Sequence, residues 1–435
     1  MSPQWSNWAG DQRCNPVAIE RPGSKEELAE VVGRAAEAGR TVRAAASGHS
    51  FTDTALTEGV LVRCERMNRI LDADPESGLV KVEGGIVLGE LNRRLDELGR
   101  AFENLGDIDR QTLAGSISTG THGTGERFQS VSAQVEAVEL VLGDGSFREI
   151  GAADDGDAIE AARIGLGALG LIYSVTVRTV PPYTINRVDN PKPLEETLER
   201  LDELNEINDH FEFYVFPHTD IALCRESKRT DEPPQPKPRA VEYAQEVMIE
   251  NWVGAAFVQI ARRFPRLGPR LARTAAGSVG RSTKIDKSFR VFASERRIKF
   301  TEMEYGIPRE HAAEAVRRVL ELASRPELQV IFPIEVRFVA PDSVMLSASH
   351  EQATCYIAVH QDRKLDWEPY FRGVEEIMLS YGGRPHWGKR HFGTAETLAP
   401  RYPRWDDFQK VRAELDPKGV FENAYVRRVL GPVAS

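Results

Sequence analysis

Residues 114–125 read AGSISTGTHGTG, a run in which Ile117 is the one bulky apolar side chain. Gly/Ser/Thr runs often form flexible linkers. Apolar segments flank this one on both sides, and they favour a buried crossing whose backbone N–H groups and hydroxyls face a ligand. The hydroxyls of Ser116, Ser118, Thr119 and Thr121 stand beside no lysine or Mg²⁺-ligand motif. Neutral donors of this kind suit a diphosphate.

Downstream, residues 135–150 (VEAVELVLGDGSFREI) predict a hairpin turning at Asp144-Gly145. A helix-like piece, DDGDAIEAARIG, precedes the strand LIYSVTVRTV, which closes at Pro181-Pro182 and sets a domain boundary near 182. Upstream, residues 24–39 (SKEELAEVVGRAAEAG) carry a serine cap, a glutamate three residues on and a glycine stop, the signature of a helix. TVRAAAS, LVRCERMNRIL and LVKVEGG read as strand-like pieces, and VLGELNRRLDELG as a second helix ending at Gly99. The alternation predicts an α+β or α/β fold.

Beyond 182, SKRTDEPPQPKPRA (227–240) is polar and proline-rich, and 241–290 read as helical or irregular with a basic surface stretch. QVIFPIEVRFVAPD and CYIAVHQD predict strands, and WEPYFRGVEEIMLSYGG a helix. No solenoid-type repeat is present.

The chain has 435 residues, a formal charge of −10 and a pI near 5.6. That length implies two domains and room for a large cofactor, and the acidic balance argues against a nucleic-acid partner. No apolar run has the length of a membrane span, and the first residues, MSPQWSNWAGDQR, lack a signal-peptide core. A cytoplasmic protein is expected. Cys14, Cys64, Cys224 and Cys355 lie far apart and read as buried free thiols.

Two further segments carry chemistry. In residues 46–53, ASGHSFTD, small residues leave amides open to an anion while His49 offers a nitrogen nucleophile when neutral. In IEVRF, Glu335 and Arg337 share one strand face opposite Ile334, Val336 and Phe338; alone, such a pair is usually a solvated surface pair. Residues 385–391, PHWGKRH, follow later in the chain. The spacing of His386 and His391 fits no metal site, so none is expected.

Two motif matches fail on context. Residues 165–170 fit G-x-G-x-x-G, but a helix precedes them and a strand follows, the reverse of a dinucleotide fingerprint. GRPHWGK has Walker A spacing, yet Arg390 stands where Ser or Thr should hold Mg²⁺.

Taken in order, NWAG, SGHSFTD, ENLGDIDRQTLAGSISTGTHGTG, GALGLIYSVTV, IEVRF, HWGK and DPKGVFENAYVRRVL resemble the aldonolactone and alditol oxidase branch of the vanillyl-alcohol-oxidase flavoproteins. The resemblance implies a PCMH-type FAD-binding domain over 1–182, a cap domain with an antiparallel sheet over 183–384, and a return to the FAD domain over 385–435. It implies FAD bonded covalently through His49. Ala45, Ser47, Gly48, Ser50, Thr112, Gly115, Ser118, Thr119, Gly120, Thr121 and Ile172 fall at FAD-contacting positions, with His122 in the same loop. Glu335, Arg337 and Lys389 map onto catalytic positions, and Asp107 and His360 onto substrate positions. Gly106 falls where a small residue gates oxygen. Asp107 and His360 depart from the alditol oxidase pattern and shift the expectation toward a sugar-1,4-lactone, with oxygen or another electron acceptor. A polyol substrate, a catalytically silent flavin-fold protein and an NAD enzyme are the alternatives.

Overall fold

A computed structural model describes residues 3–151, 156–236, 259, 262–264, 267–278, 280–293 and 298–433. Near the N-terminus, the helix Lys25–Glu37 connects two strands of a parallel three-stranded sheet, ordered Ala18–Glu20, Val60–Val62, Val42–Ala44. Its cap forms as expected: Ser24 Oγ accepts the Glu27 N–H at 3.2 Å, and the Glu27 carboxylate accepts the Gly23 N–H at 2.7 Å. LVRCERMNRIL is not one strand. Val60–Val62 belongs to the parallel sheet, and Ile70–Ala73 opens a separate five-stranded antiparallel sheet. That sheet runs Ile70–Ala73, Leu79–Glu83, Leu171–Arg178, Val135–Val141, Phe147–Gly151, and contains the expected hairpin with Gly145 at φ +81°.

Residues 114–125 are buried except for the half-buried Ala114, Gly115, Ser118 and Gly120, but their first half is not a loop. Leu113–Ser118 is a short helix whose cap, Thr112, lies outside the glycine-rich run and accepts the Gly115 N–H at 3.2 Å. The C-terminal helices Trp405–Leu415 and Ala424–Leu430 share the core of this first lobe, together with Val344, Met345 and Leu346.

The second lobe is built on an eight-stranded antiparallel sheet. Its order is Ser282–Lys287, Thr184–Pro193, Ile221–Thr230, His210–Val215, Ile334–Val339, Thr354–Gln361, Thr301–Pro308, Arg384–Pro385. Two sequence readings are corrected here. Residues 282–287, read as helical or irregular, form the edge strand, and 227–230 of the proline-rich run end a strand. Residues 237–258, with part of the basic stretch, lie outside the described residues.

Pairing register splits this sheet into two unlike faces. Asp189, Arg225, Glu212, Arg337 and Tyr356 lie opposite one another across five strands and so share a face. Two-residue alternation adds Arg187, Tyr214, Glu335, Ala358, His360, Glu302 and Glu304 to that face. Phe213, Val336, Ile357 and Met303 occupy the other, packed against the helices Ala312–Ala323 and Glu368–Ser380.

All four cysteines are free. Cys224 and Cys355 are buried as expected, whereas Cys14 and Cys64 are half-buried. No helix among the described residues is long and apolar enough to cross a membrane.

Candidate active site

Three loops distant in sequence meet at Gly388. A Cβ there would lie 3.3 Å from Thr119 Oγ1, 3.3 Å from His386 Cε1 and 3.4 Å from Ser50 Oγ. The Phe51 N–H donates to the Gly388 carbonyl at 2.8 Å, which ties ASGHSFTD to HWGK. NWAG completes the junction: the Trp8 N–H donates to the Gly48 carbonyl at 2.7 Å, and the Trp8 ring stacks on His49 with centroids 5.5 Å apart. Gly48 takes φ +71°, which brings residues 47–50 back against Trp5 and Asn7.

From this junction a groove of about 1000 Å³ runs between residues 44–55, 111–119 and 166–172. Ser47, Gly48, His49, Ser50, Thr112, Gly115, Ser118, Thr119 and Ile172 line it. Ala45 does not. It packs with Trp5 and Leu61, and its neighbours Ala44 and Ala46 reach the groove instead. Gly120 and Thr121 also lie off its wall, in the turn that follows the short helix.

Among the described residues the amides of Ser47, Gly48, His49 and Ser50 have no acceptor. At Gly115 a Cβ would come within 3.0 Å of the Ala46 Cβ, and at Gly84 within 3.0 Å of the Ala114 Cβ. Open amides beside a channel kept clear by missing side chains fit a long ligand with a phosphate-rich middle, which is what FAD offers. Burial lowers the His49 pKa to about 4, with Lys389 and Arg110 adding to the effect, so its imidazole is neutral at physiological pH.

Sequence reading missed the residue that holds this groove together. Arg43, buried in the strand Val42–Ala44 of TVRAAAS, donates to the carbonyls of Thr54, Leu166, Gly167 and Phe421 at 2.6–3.0 Å. It joins the His49 loop, the glycine turn 165–170 and the C-terminal tail. The glycines misread most easily as a dinucleotide motif therefore form a backbone cup around a guanidinium, with Gly167 at φ +62°.

A second cavity of about 1020 Å³ continues past His49 and is lined by Trp8, Arg110, Phe300, His386 and Lys389. The Lys389 ammonium lies 2.5 Å from Glu302 and 3.9 Å from Glu304. Burial lowers its pKa, but the two carboxylates more than offset this and hold it charged. The backbone sets this contact, because the N–H groups of His386 and Arg390 donate to the carbonyls of Glu304 and Glu302 at 2.9 and 2.8 Å. His360 Nε2 stands 3.5 Å from Glu302, and His122 Nε2 3.3 Å from Glu304.

His122, Glu304 and His386 bring three possible ligand atoms within 4.8 Å of one another. His386 Nδ1, however, accepts the Gly388 N–H at 3.0 Å, so the proton of its neutral ring sits on Nε2. The Nδ1 lone pair is therefore already engaged within its own loop.

Glu335 and Arg337 are 4% and 6% exposed, which rules out the solvated surface pair. Arg337 pairs with Glu335, and lies 3.1 Å from Glu212 and 3.3 Å from Asp107. Tyr214 donates to Glu335 at 2.9 Å. Burial lowers the Arg337 pKa, but Glu335, Asp107 and Glu212 raise it well above the ordinary value, so this guanidinium is a fixed cation. The structure thus brings Glu335, Arg337, Lys389, Asp107 and His360 to one side of one sheet. Glu212, Tyr214, Glu302 and Glu304 join them unforeseen.

Comparison with known proteins bears on this arrangement. The profile of the family described as D-arabinono-1,4-lactone oxidase matches residues 175–429, and that of an FAD binding domain matches 16–151. The L-gulono-1,4-lactone dehydrogenase of Mycobacterium tuberculosis is 51% identical over 99% of this chain and all of its own. The L-gulonolactone oxidase of Mus musculus is 32% identical over 98% of each chain. A solved structure of a solvent-stable cholesterol oxidase superposes with a TM-score of 0.80 over 98% of this chain and 97% of its own, at 16% identity, a likeness of fold.

Proposed function

The chain belongs to the D-arabinono-1,4-lactone oxidase family of FAD-dependent oxidoreductases, and on that premise we propose that it oxidises a secondary hydroxyl of a sugar-1,4-lactone beside Lys389, Glu335 and Arg337. The reading rests above all on one observation. The neutral His49 and the charged Lys389 line one cavity, and Asp107, which acts on Lys389 and lies 3.3 Å from Arg337, joins that cavity to the Glu335–Arg337 pair.

Bound in the groove, FAD would supply the acceptor for a hydride from the substrate carbon. Ser47–Ser50 and Thr112–Thr119 would hold its diphosphate through neutral donors, and His49 would carry its ring covalently. An unprotonated imidazole is the reactive form, and burial keeps it so. Arg337 is placed to orient substrate hydroxyls, while Lys389 stabilises negative charge that develops as the hydride leaves. Proton loss from the reacting hydroxyl falls to the carboxylate-rich side of the face, with Glu335 the acceptor nearest Arg337. Asp107 and His360 border this region and would contact the lactone.

Oxygen is the proposed electron acceptor. Gly106, at the position the resemblance assigns to oxygen gating, supports this: a Cβ there would lie only 3.1 Å from the His122 carbonyl and 3.2 Å from Thr121 Cγ2, so that any larger residue would press on the 121–122 loop.

A panel of L-gulono-, L-galactono- and D-arabinono-1,4-lactones against xylitol and sorbitol tests the reading, with peroxide and dye reduction measured in parallel. Lactone-dependent peroxide is expected. Reduction by polyols alone contradicts the substrate class, and dye reduction without peroxide contradicts the acceptor.

A further inference from the structure

Beyond Arg337, on the side away from Lys389, lies a third, small pocket, partly open to solvent and bordered by Asp107 and Arg337. Its far wall comes from the strands His210–Val215, Ile221–Thr230 and Thr184–Pro193, through His210, Arg225, Ser227 and Arg187. Two buried polar atoms on that wall, Arg187 Nε and His210 Nε2, have no hydrogen-bond partner among the described residues. Such atoms are costly to leave unpaired.

Their chemistry is complementary. His210 Nδ1 lies 2.8 Å from the Thr124 carbonyl, which can only accept, so the ring proton sits on Nδ1 and Nε2 presents a lone pair. Burial lowers the pKa of this histidine to about 4 and keeps it neutral. Stacking on Phe128 and an edge contact with Phe292, with centroids at 4.5 and 4.8 Å, fix the ring. The other Arg187 nitrogens are engaged, Nη1 with the Val291 carbonyl at 3.0 Å and Nη2 with Asp189 at 3.3 Å. Residues of the wall therefore hold one unpaired acceptor and one unpaired donor.

Charge selects the ligand further. Arg187, Arg225 and Arg337 are matched by Asp189, Glu212 and Asp107. An anion would meet the histidine lone pair and the carboxylates, and an apolar group would leave both free atoms unpaired. A neutral hydroxyl satisfies both at once.

We propose that this cavity takes the exocyclic hydroxylated tail of the sugar lactone, whose hydroxyl donates to His210 Nε2 and accepts from Arg187 Nε. The tail subsite rests on the lactone reading above and makes Arg187 and His210 specificity-determining residues for tail length.

The test uses the FAD-loaded enzyme with three substrates: threono-1,4-lactone, which has no exocyclic carbon, a five-carbon lactone and a six-carbon lactone. Wild type is compared with Ser227→Leu, which fills the cavity, and with Arg187→Lys, which keeps the cation beside Asp189 but removes Nε. Flavin content and melting midpoint verify folding of each variant. The expected result is that kcat/KM for the six-carbon lactone relative to the tail-less one falls about tenfold in Ser227→Leu and severalfold in Arg187→Lys, carried by KM. An unchanged ratio in both variants means the cavity holds water only and overturns the subsite while leaving the lactone reading intact. If wild type is reduced by none of the three lactones, the lactone reading itself fails, and the subsite with it.

Discussion

The two faces of the eight-stranded sheet are made by the same strands yet do opposite work. Toward the helices Ala312–Ala323 and Glu368–Ser380, Phe213, Val336, Ile357 and Met303 form a dry core. Toward the first lobe, Asp189, Arg225, Glu212, Arg337, Glu335, Glu302 and Glu304 are equally buried or nearly so, but charged. Burying ions gains little stability even when they pair. A charge network of this extent is therefore evidence of chemistry on that face, while the apolar face carries the folding energy.

The sharpest way to break this contrast is to cut each face in turn. Phe338→Ala removes a fully buried ring beside Phe211 and Phe213 on the apolar face. Its unfolding free energy should drop by about 3–5 kcal/mol, with turnover per bound flavin within a few-fold of wild type. Denaturant melts and flavin-normalised kinetics check both halves. If turnover collapses while stability holds, the faces have been assigned the wrong way round.

On the charged face, Arg337→Lys keeps the cation and loses the fork that reaches Glu335, Glu212 and Asp107 together. A fall in kcat/KM of about a hundredfold is expected, with a melting midpoint close to wild type. Comparable loss of stability and activity would mean that the network serves folding.

Glu302→Gln should have the smallest effect and the most specific one. The carboxylates raise the Lys389 pKa against burial, so removing the nearer one lets burial lower it. A cationic Lys389 is then lost at lower pH, and the alkaline limb of the kcat/KM profile shifts to lower pH, with about a tenfold loss near its top. An unshifted alkaline limb would separate Lys389 from the rate.

Local pattern made much of this legible. ASGHSFTD combines residue types that a plain loop does not need, whereas IEVRF alone reads as a solvated surface pair and takes its role, like HWGK, from the resemblance. Glu302 and Glu304 escaped because nothing within TEMEYG tells what its alternating glutamates face. Only its pairing with Thr354–Gln361 and with residues 384–385, far away in the chain, brings those carboxylates to Lys389. Glu212 in HFEFYV is the same case, joined to Arg337 by register. Arg43 was passed over because its partners are four carbonyls, which have no signature in side-chain type. Residues 282–287, STKIDK, look irregular by hydrophobicity because an edge strand needs charge on its open side. Thr112 hid a helix start next to glycines that read as a loop.

A neutral His49 at the meeting point of three loops matters most if it carries the cofactor. Intact mass of the denatured protein, for wild type and His49→Ala expressed with ample riboflavin, tests this directly. Wild type should weigh one FAD more than its residues and stay yellow on unfolding, whereas His49→Ala should release its flavin. A wild-type chain that unfolds to the mass of its residues alone would contradict the tether.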